Sequence, residues 1–230
     1  MIKNYTIYGE RASGTHFLEE AINQNFDIDI TWKFGWKHFF GHDSLNNAKE
    51  TLFIGIVRDP YQWMNSLYKK PWHLEYFNDV SGFLNNEFYS VNNENPKWAH
   101  LKENVKGITK KLNSEIIEDR NIKTGERYKN IFECREVKLD YLYNEMPSLV
   151  DNYILIRYED LRDNYVNSLT NIENKFKIKR LNNQILNIEY YKKNKNKKFV
   201  ISSGDVKVDP FIIKNHSDFK ENIEKQLGYL

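Results

Sequence analysis

Tyr5-Thr6-Ile7-Tyr8-Gly9-Glu10-Arg11-Ala12-Ser13-Gly14-Thr15-His16-Phe17 decides the reading of this chain. Tyr5 to Tyr8 reads as a short strand, Gly9 to Thr15 as a loop, and His16 onward as a helix. Phe17, Leu18, Ala21 and Ile22 recur with the period of a helix burying one face. The loop therefore ends at a helix N-terminus, where unpaired backbone N–H groups of Ser13 to His16 and the helix dipole favour an anion. Gly9 and Gly14 bracket four residues as in a P-loop, but Thr15 and His16 stand where a nucleoside triphosphatase needs its Lys and Ser/Thr. The expected ligand is an anion without a metal-bridged terminal phosphate.

Working outward, Asp27 to Trp32 alternates Ile28, Ile30 and Trp32 with polar residues and predicts a second strand, followed by the aromatic and basic segment Lys33 to His42. Thr51 to Val57 is a continuous apolar run, as in a strand buried on both faces. It ends in Arg58-Asp59-Pro60, where Asp59 caps and Pro60 opens a helix over 61–69, leaving Arg58 at the carboxyl end of the strand, where open α/β sheets bind ligands. Tyr153 to Arg157 predicts another strand, and Leu161, Tyr165, Leu169, Ile172 and Phe176 a helical stripe after it. Phe219, Ile223 and Leu227 mark a terminal amphipathic helix. Residues 71–150, too long for a connection, predict an inserted, largely helical subdomain on the acceptor side. Within it, Phe77 to Phe88 predicts a short helix, Thr124-Gly125 a turn, and Glu133 to Met146 a helix stopped by Pro147.

The expected fold class is α/β: one domain over 1–230, three-layered and P-loop-like, with a mostly parallel central sheet. At 230 residues the chain buries a sizeable core, and 40% hydrophobic with 29% charged residues excludes a disordered tail. A net charge of +2 is too small to argue for nucleic acid or a membrane surface. Cys134 is the only cysteine, which excludes an intrachain disulfide and suits a reducing compartment. Without a signal-peptide core or an apolar run of bilayer length, the expectation is a cytoplasmic protein.

Three motifs together resemble the sulfotransferases that use 3'-phosphoadenosine-5'-phosphosulfate (PAPS). Arg11-Ala12-Ser13-Gly14-Thr15-His16-Phe17 resembles their 5'-phosphosulfate loop, Lys-Ser-Gly-Thr-Thr-Trp, with Phe17 at the aromatic position that packs on adenine. Arg58 and Ser66, eight residues apart, resemble the Arg and Ser that hold the 3'-phosphate; independently of the family, an Arg at a strand end and a Ser two helical turns on can converge on one phosphate. Ile156-Arg157-Tyr158-Glu159-Asp160 resembles the segment whose Tyr lies near the adenine edge. Lys197 and Lys198, ahead of Gly204-Asp205-Val206-Lys207, resemble a basic lid over the 3'-phosphate, with a solvated charge run as the even alternative.

The resemblance implies PAPS as donor substrate, no required metal, and transfer of a sulfuryl group to a hydroxyl or amine of a small-molecule or carbohydrate acceptor. The main departure is Ala12, where the family carries the lysine that stabilises the leaving phosphate; Arg11 or Lys37 is the expected replacement, and spacing does not choose between them. His38 is the candidate base, with aromatic packing beside Trp36, Phe39 and Phe40 as its competing role. The rival functions are a non-catalytic nucleotide-binding module, motivated by Ala12, and a P-loop kinase, disfavoured by Thr15 and His16. The acceptor and the oligomeric state are not legible.

Overall fold

The computed structural model describes residues 1–92, 111–189 and 205–230. Four strands, β1 (Asn4–Tyr8), β2 (Asp29–Ile30), β3 (Thr51–Val57) and β4 (Tyr153–Arg157), form an all-parallel sheet in the order β2-β1-β3-β4. All seven residues of β3 are buried, as its apolar run requires of a central strand covered on both faces. Tyr8 lies opposite Gly55 and Val57 opposite Arg157, so the chain leaves β1, β3 and β4 at the same edge of the sheet.

The strands divide their side chains between two cores by the two-residue alternation of extended backbone. Tyr5, Ile7, Leu52, Ile54, Ile56 and Ile156 face helix α1 (Thr15–Asn25), α6 (Tyr158–Asp163) and α7 (Tyr165–Phe176), which contribute Leu18, Ala21, Ile22, Leu161, Leu169 and Ile172. Tyr8, Phe53, Val57 and Tyr153 face the opposite way, against Phe34, Phe40, Leu139, Leu142, Met146 and Ile223. Helices on both faces of a parallel sheet make the expected three-layer α/β architecture.

Helix α2 (Pro60–Lys69) starts as its sequence requires: the Asp59 carboxylate accepts from the Gln62 N–H at 2.9 Å, and Pro60 occupies the first turn, where its missing N–H is no loss. In the stretch after it, the short helix predicted over 77–88 is α3 (Val80–Asn85), and the Thr124-Gly125 turn forms with Gly125 at φ +76°. Pro147 does not stop its helix. Helix α4 (Ile131–Asp140) widens into a π turn over Tyr141–Glu145, and α5 (Met146–Leu149) carries Pro147 in its first turn, a position that needs no N–H donor. The residues after α4 put Tyr141, Leu142 and Met146 on the sheet's second face, so this end of the segment is part of the main layers. Helices α8 (Pro210–Lys214) and α9 (Glu221–Gln226) close the described chain. No helix among the described residues is long and apolar enough to cross a membrane.

Candidate functional site

The loop between β1 and α1 is held open in a shape that glycine and cross-links decide. At Gly9 a side chain has no room, because a Cβ would stand 2.6 Å from the Ile56 carbonyl oxygen of β3. At Gly14 the backbone is left-handed, φ 92°, and a Cβ would stand 2.3 Å from the Tyr158 ring. Ala12 also takes a left-handed φ of 62°, which a non-glycine residue holds only where its surroundings over-determine it. Here they do. Trp63 Nε1 donates to the Arg11 carbonyl at 2.8 Å, Arg58 Nη1 to the Ala12 carbonyl at 3.0 Å, and the Ser13 N–H to the Glu10 carbonyl at 3.1 Å. Gly14 offers no side-chain cap, and the first turn of α1 carries no acidic residue of its own.

Tertiary folding brings three of the sequence motifs to this edge. The Arg58 guanidinium carbon lies 4.9 Å from the Tyr158 ring centroid, and Tyr158 meets Phe17 edge to face at 6.2 Å. One hand of Arg58 is spent on the loop, while its Nε is buried without a hydrogen-bond partner among the described residues. A buried guanidinium N–H without an acceptor is costly, and an anion at this point would satisfy it. Ser66 is half-buried in the second turn of α2, and no hydrogen bond joins its hydroxyl to Arg58. Ser13 is buried in the loop, and Thr15, the first residue of α1, is buried too. Lys197 and Lys198 lie outside the described residues.

Arg11 is a correction. Its side chain is 2% exposed and turned into the protein, with Nε on Glu10 Oε1 at 2.7 Å and Nη2 on Asp119 Oδ2 at 2.8 Å, and Nη1 donating to the Ser90 hydroxyl. Lys138 closes the cluster, donating to Glu10 Oε2 at 2.5 Å, to Asp119 Oδ1, and to the His38 carbonyl at 2.9 Å. Two buried cations and two buried carboxylates thus balance, and the arginine expected to neutralise a leaving phosphate is engaged by Glu10, Asp119 and Ser90 instead. Burial alone would raise the Glu10 pKa, but the charges of Arg11 and Lys138 outweigh it and hold the carboxyl below its ordinary range.

The segment after β2 is pinned to the same loop. Gly9 N–H donates to the Lys37 carbonyl at 2.9 Å, and His38 Nδ1 lies 2.7 Å from the Gly9 carbonyl. Burial, reinforced by the Lys37 charge, holds the His38 pKa well below its ordinary 6.5, so the ring is neutral at neutral pH. Its aromatic contacts with Trp36 and Phe39, at 6.4 Å each, show the packing role that competed with the expected base. Lys37 is 1% exposed, bonded to Glu19 Oε2 at 2.9 Å and in contact with His16 Nδ1 at 3.2 Å.

The signs of these shifts give a pH dependence. Below about pH 6.5 the unfolded chain protonates His38 while the folded one does not, and further down the same holds for Glu10, whose ordinary value is 4.5; in both windows the unfolded state binds more protons and stability falls as pH falls. Melting curves from about pH 7.5 to about pH 4.5 should show a steady loss of Tm. His38→Gln should flatten the upper part of that slope, and an unchanged slope would show that His38 titrates normally in the folded protein.

Glu10, Asp119, Lys138, Trp63 and Glu19 were not legible as site residues. Glu10 lies 128 residues from Lys138 and Arg11 108 from Asp119, so no local spacing announces either pair. A cleft of about 710 Å³ lies away from this loop, between α4 and α9 beside Glu136, Asp140 and Phe219.

No family model matches this chain, and neither does any curated protein. Among solved structures, the crystal structure of mouse sulfotransferase SULT7A1 complexed with PAP is similar to it at 14% identity and a TM-score of 0.36, over 77% of this chain and 59% of that one. A likeness of this size assigns no residue a role, and the roles below rest on the geometry above.

Proposed function

We propose that this protein binds a nucleotide bearing phosphates on both sides of its ribose and acts as a PAPS-dependent sulfotransferase toward a hydroxyl or amine of a small-molecule or carbohydrate acceptor. The observation that carries this reading is Arg58: one nitrogen holds the carbonyl of Ala12 in the first anion loop while another is buried without a partner beside Tyr158. It joins two anion motifs at one sheet edge, as a ligand with two separated phosphates requires.

When bound, PAPS supplies a sulfuryl group already activated on a phosphate. The chain supplies position and charge. Backbone N–H groups of Gly14 to His16 cradle the 5' end, the Ser13 N–H being spent on the Glu10 carbonyl; Arg58 and Ser66 take the 3'-phosphate, and Phe17 and Tyr158 border the base. Neutral His38, with its lone pair on Nε2, accepts the proton of the attacking hydroxyl or amine as the new bond to sulfur forms. The bond from sulfur to the bridging phosphate oxygen breaks, its electron pair staying on the phosphate, and adenosine 3',5'-bisphosphate leaves.

Calorimetry with adenosine 3',5'-bisphosphate, adenosine 5'-phosphate, and ATP with magnesium tests the reading. The bisphosphate should bind at least tenfold tighter than either other ligand, as one extra charge-assisted phosphate contact predicts. Preference for ATP with magnesium would overturn it in favour of a kinase. A second reading, a non-catalytic nucleotide-binding module, is favoured by Ala12 and by the inward turn of Arg11. It predicts the same binding with no transfer to any acceptor of a broad panel.

A further inference from the structure

The peptide unit that follows Arg58 is held at both of its polar atoms. Its carbonyl, that of Arg58, accepts from Arg135 Nη2 at 2.9 Å, and its amide, that of Asp59, donates to Glu159 Oε1 at 3.1 Å. The parallel ladder between β3 and β4 ends at Val57 opposite Arg157, so this peptide lies just past the sheet. Side chains from α4 and α6 give it the partners that a neighbouring strand gives the residues before it.

Both holding residues are themselves held from one stretch of chain, 224–229. Glu224 of α9 takes the Arg135 fork, Nε on Oε1 at 2.5 Å and Nη2 on Oε2 at 2.8 Å, and the two side chains are 6% and 1% exposed. A planar guanidinium in such a two-pronged pair has one orientation, which sets where Nη2 meets the Arg58 carbonyl. The same guanidinium carbon lies 4.9 Å from the ring centroid of Trp63 in α2, the helix that carries Ser66. On the other side, the Tyr229 hydroxyl donates to Glu159 Oε2 at 3.1 Å, and the Gly228 carbonyl accepts from Arg157 Nη1 at 2.8 Å. Burial, with the Glu159 charge, pushes the Tyr229 phenol above its ordinary pKa, so it remains a donor.

We propose that the stretch 224–229 is the positioning element of the 3'-phosphate subsite: through Arg135 and Glu159 it fixes the peptide after Arg58 and so aims the Arg58 guanidinium. The inference rests on the nucleotide reading above. An arginine side chain is long and flexible, and its fork meets a phosphate at little entropic cost only when its base and its far end are both set beforehand. The Tyr158 ring, 4.9 Å from the guanidinium carbon, sets the far end, and the clamped peptide sets the base. Glu159 follows Tyr158 directly in α6, so one helix turn serves both ends of Arg58. Arg135, Glu159, Glu224 and Tyr229 are positioning residues in this scheme and act only through Arg58.

Side-chain nitrogen NMR and calorimetry on the full chain test this. The Arg58 Nε–H signal is assigned from its loss in Arg58→Lys. It should shift or broaden in Tyr229→Phe, which removes one hydroxyl from a half-buried ring, and in Glu224→Gln, which keeps the shape of the Arg135 partner without its charge. Should Glu224→Gln not fold, Tyr229→Phe, the milder change, decides. In calorimetry Tyr229→Phe should lose about threefold or more in affinity for adenosine 3',5'-bisphosphate, and clearly less for adenosine 5'-phosphate. Added to Arg58→Ala, Tyr229→Phe should cost nothing further, because no guanidinium is left to aim. Equal losses for the two ligands, or the same loss with and without Arg58, would be the mark of a role in stability alone and overturn the inference while the nucleotide reading stands. If no nucleotide binds, that reading fails, and the Arg58 signal decides the positioning by itself: a change in Tyr229→Phe supports it. An unchanged Arg58 signal in Tyr229→Phe overturns it whether or not a nucleotide binds.

Discussion

Asp119→Ala should destabilise the protein by about 3–5 kcal/mol in urea denaturation at neutral pH, the cost of removing one partner from a buried ion pair. Asp119 is fully buried and accepts from Arg11 Nη2, the Ser90 hydroxyl and Lys138 Nζ. Its removal leaves two buried cations sharing the single carboxylate of Glu10, in an interior that also includes Cys134, whose thiol burial pushes well above its ordinary pKa. Neither cation relaxes to solvent easily, since Arg11 is 2% and Lys138 3% exposed. Asp119→Asn keeps an acceptor and the shape but not the charge, and should fall between the alanine variant and the parent. A loss below about 1 kcal/mol for Asp119→Ala would be the size of an exposed pair, and would sink the description of this cluster as a buried, balanced unit.

Arg58→Ala should weaken binding of adenosine 3',5'-bisphosphate by about 2–4 kcal/mol, as for losing a buried, charge-assisted phosphate contact. On the proposed reading that loss has two parts. The unpartnered Nε is the group that reads the 3'-phosphate, while Nη1 holds the Ala12 carbonyl and with it a left-handed residue of the loop before α1. Adenosine 5'-phosphate should therefore lose some affinity too, but clearly less. Trp63→Phe isolates the second part, because it removes the indole donor to the Arg11 carbonyl and leaves Arg58 in place. Its losses should be equal for the two ligands. Equal losses for both ligands in Arg58→Ala itself would mean that Arg58 serves only the loop and reads no 3'-phosphate.

Local features are legible in the chain itself: the period of Leu18, Ala21 and Ile22 that makes α1, the apolar run of Thr51 to Val57 that makes a strand covered on both sides, and the Asp59-Pro60 start of α2. Neighbouring residues set these through backbone geometry, and parallel pairing then carries Gly14, Arg58 and Tyr158 to one edge. Pro147 misled because its effect depends on the turn before it, and a π turn there left the proline nothing to break.

Where the charged side chains go depends on contacts between distant parts of the chain. Arg11 reads as a loop cation because its position in the chain is right, yet the sites that claim its guanidinium are Asp119 and Ser90, brought in from the segment before α4. Lys37 reads as a cation just past the second strand that could serve the leaving group, yet it is buried near two tryptophans, bonded to Glu19 and 3.2 Å from His16 Nδ1. A long side chain can swing to either side of its backbone at little cost, so its direction follows the charges that folding brings near it, and a buried charge must find a partner wherever in the chain that partner lies.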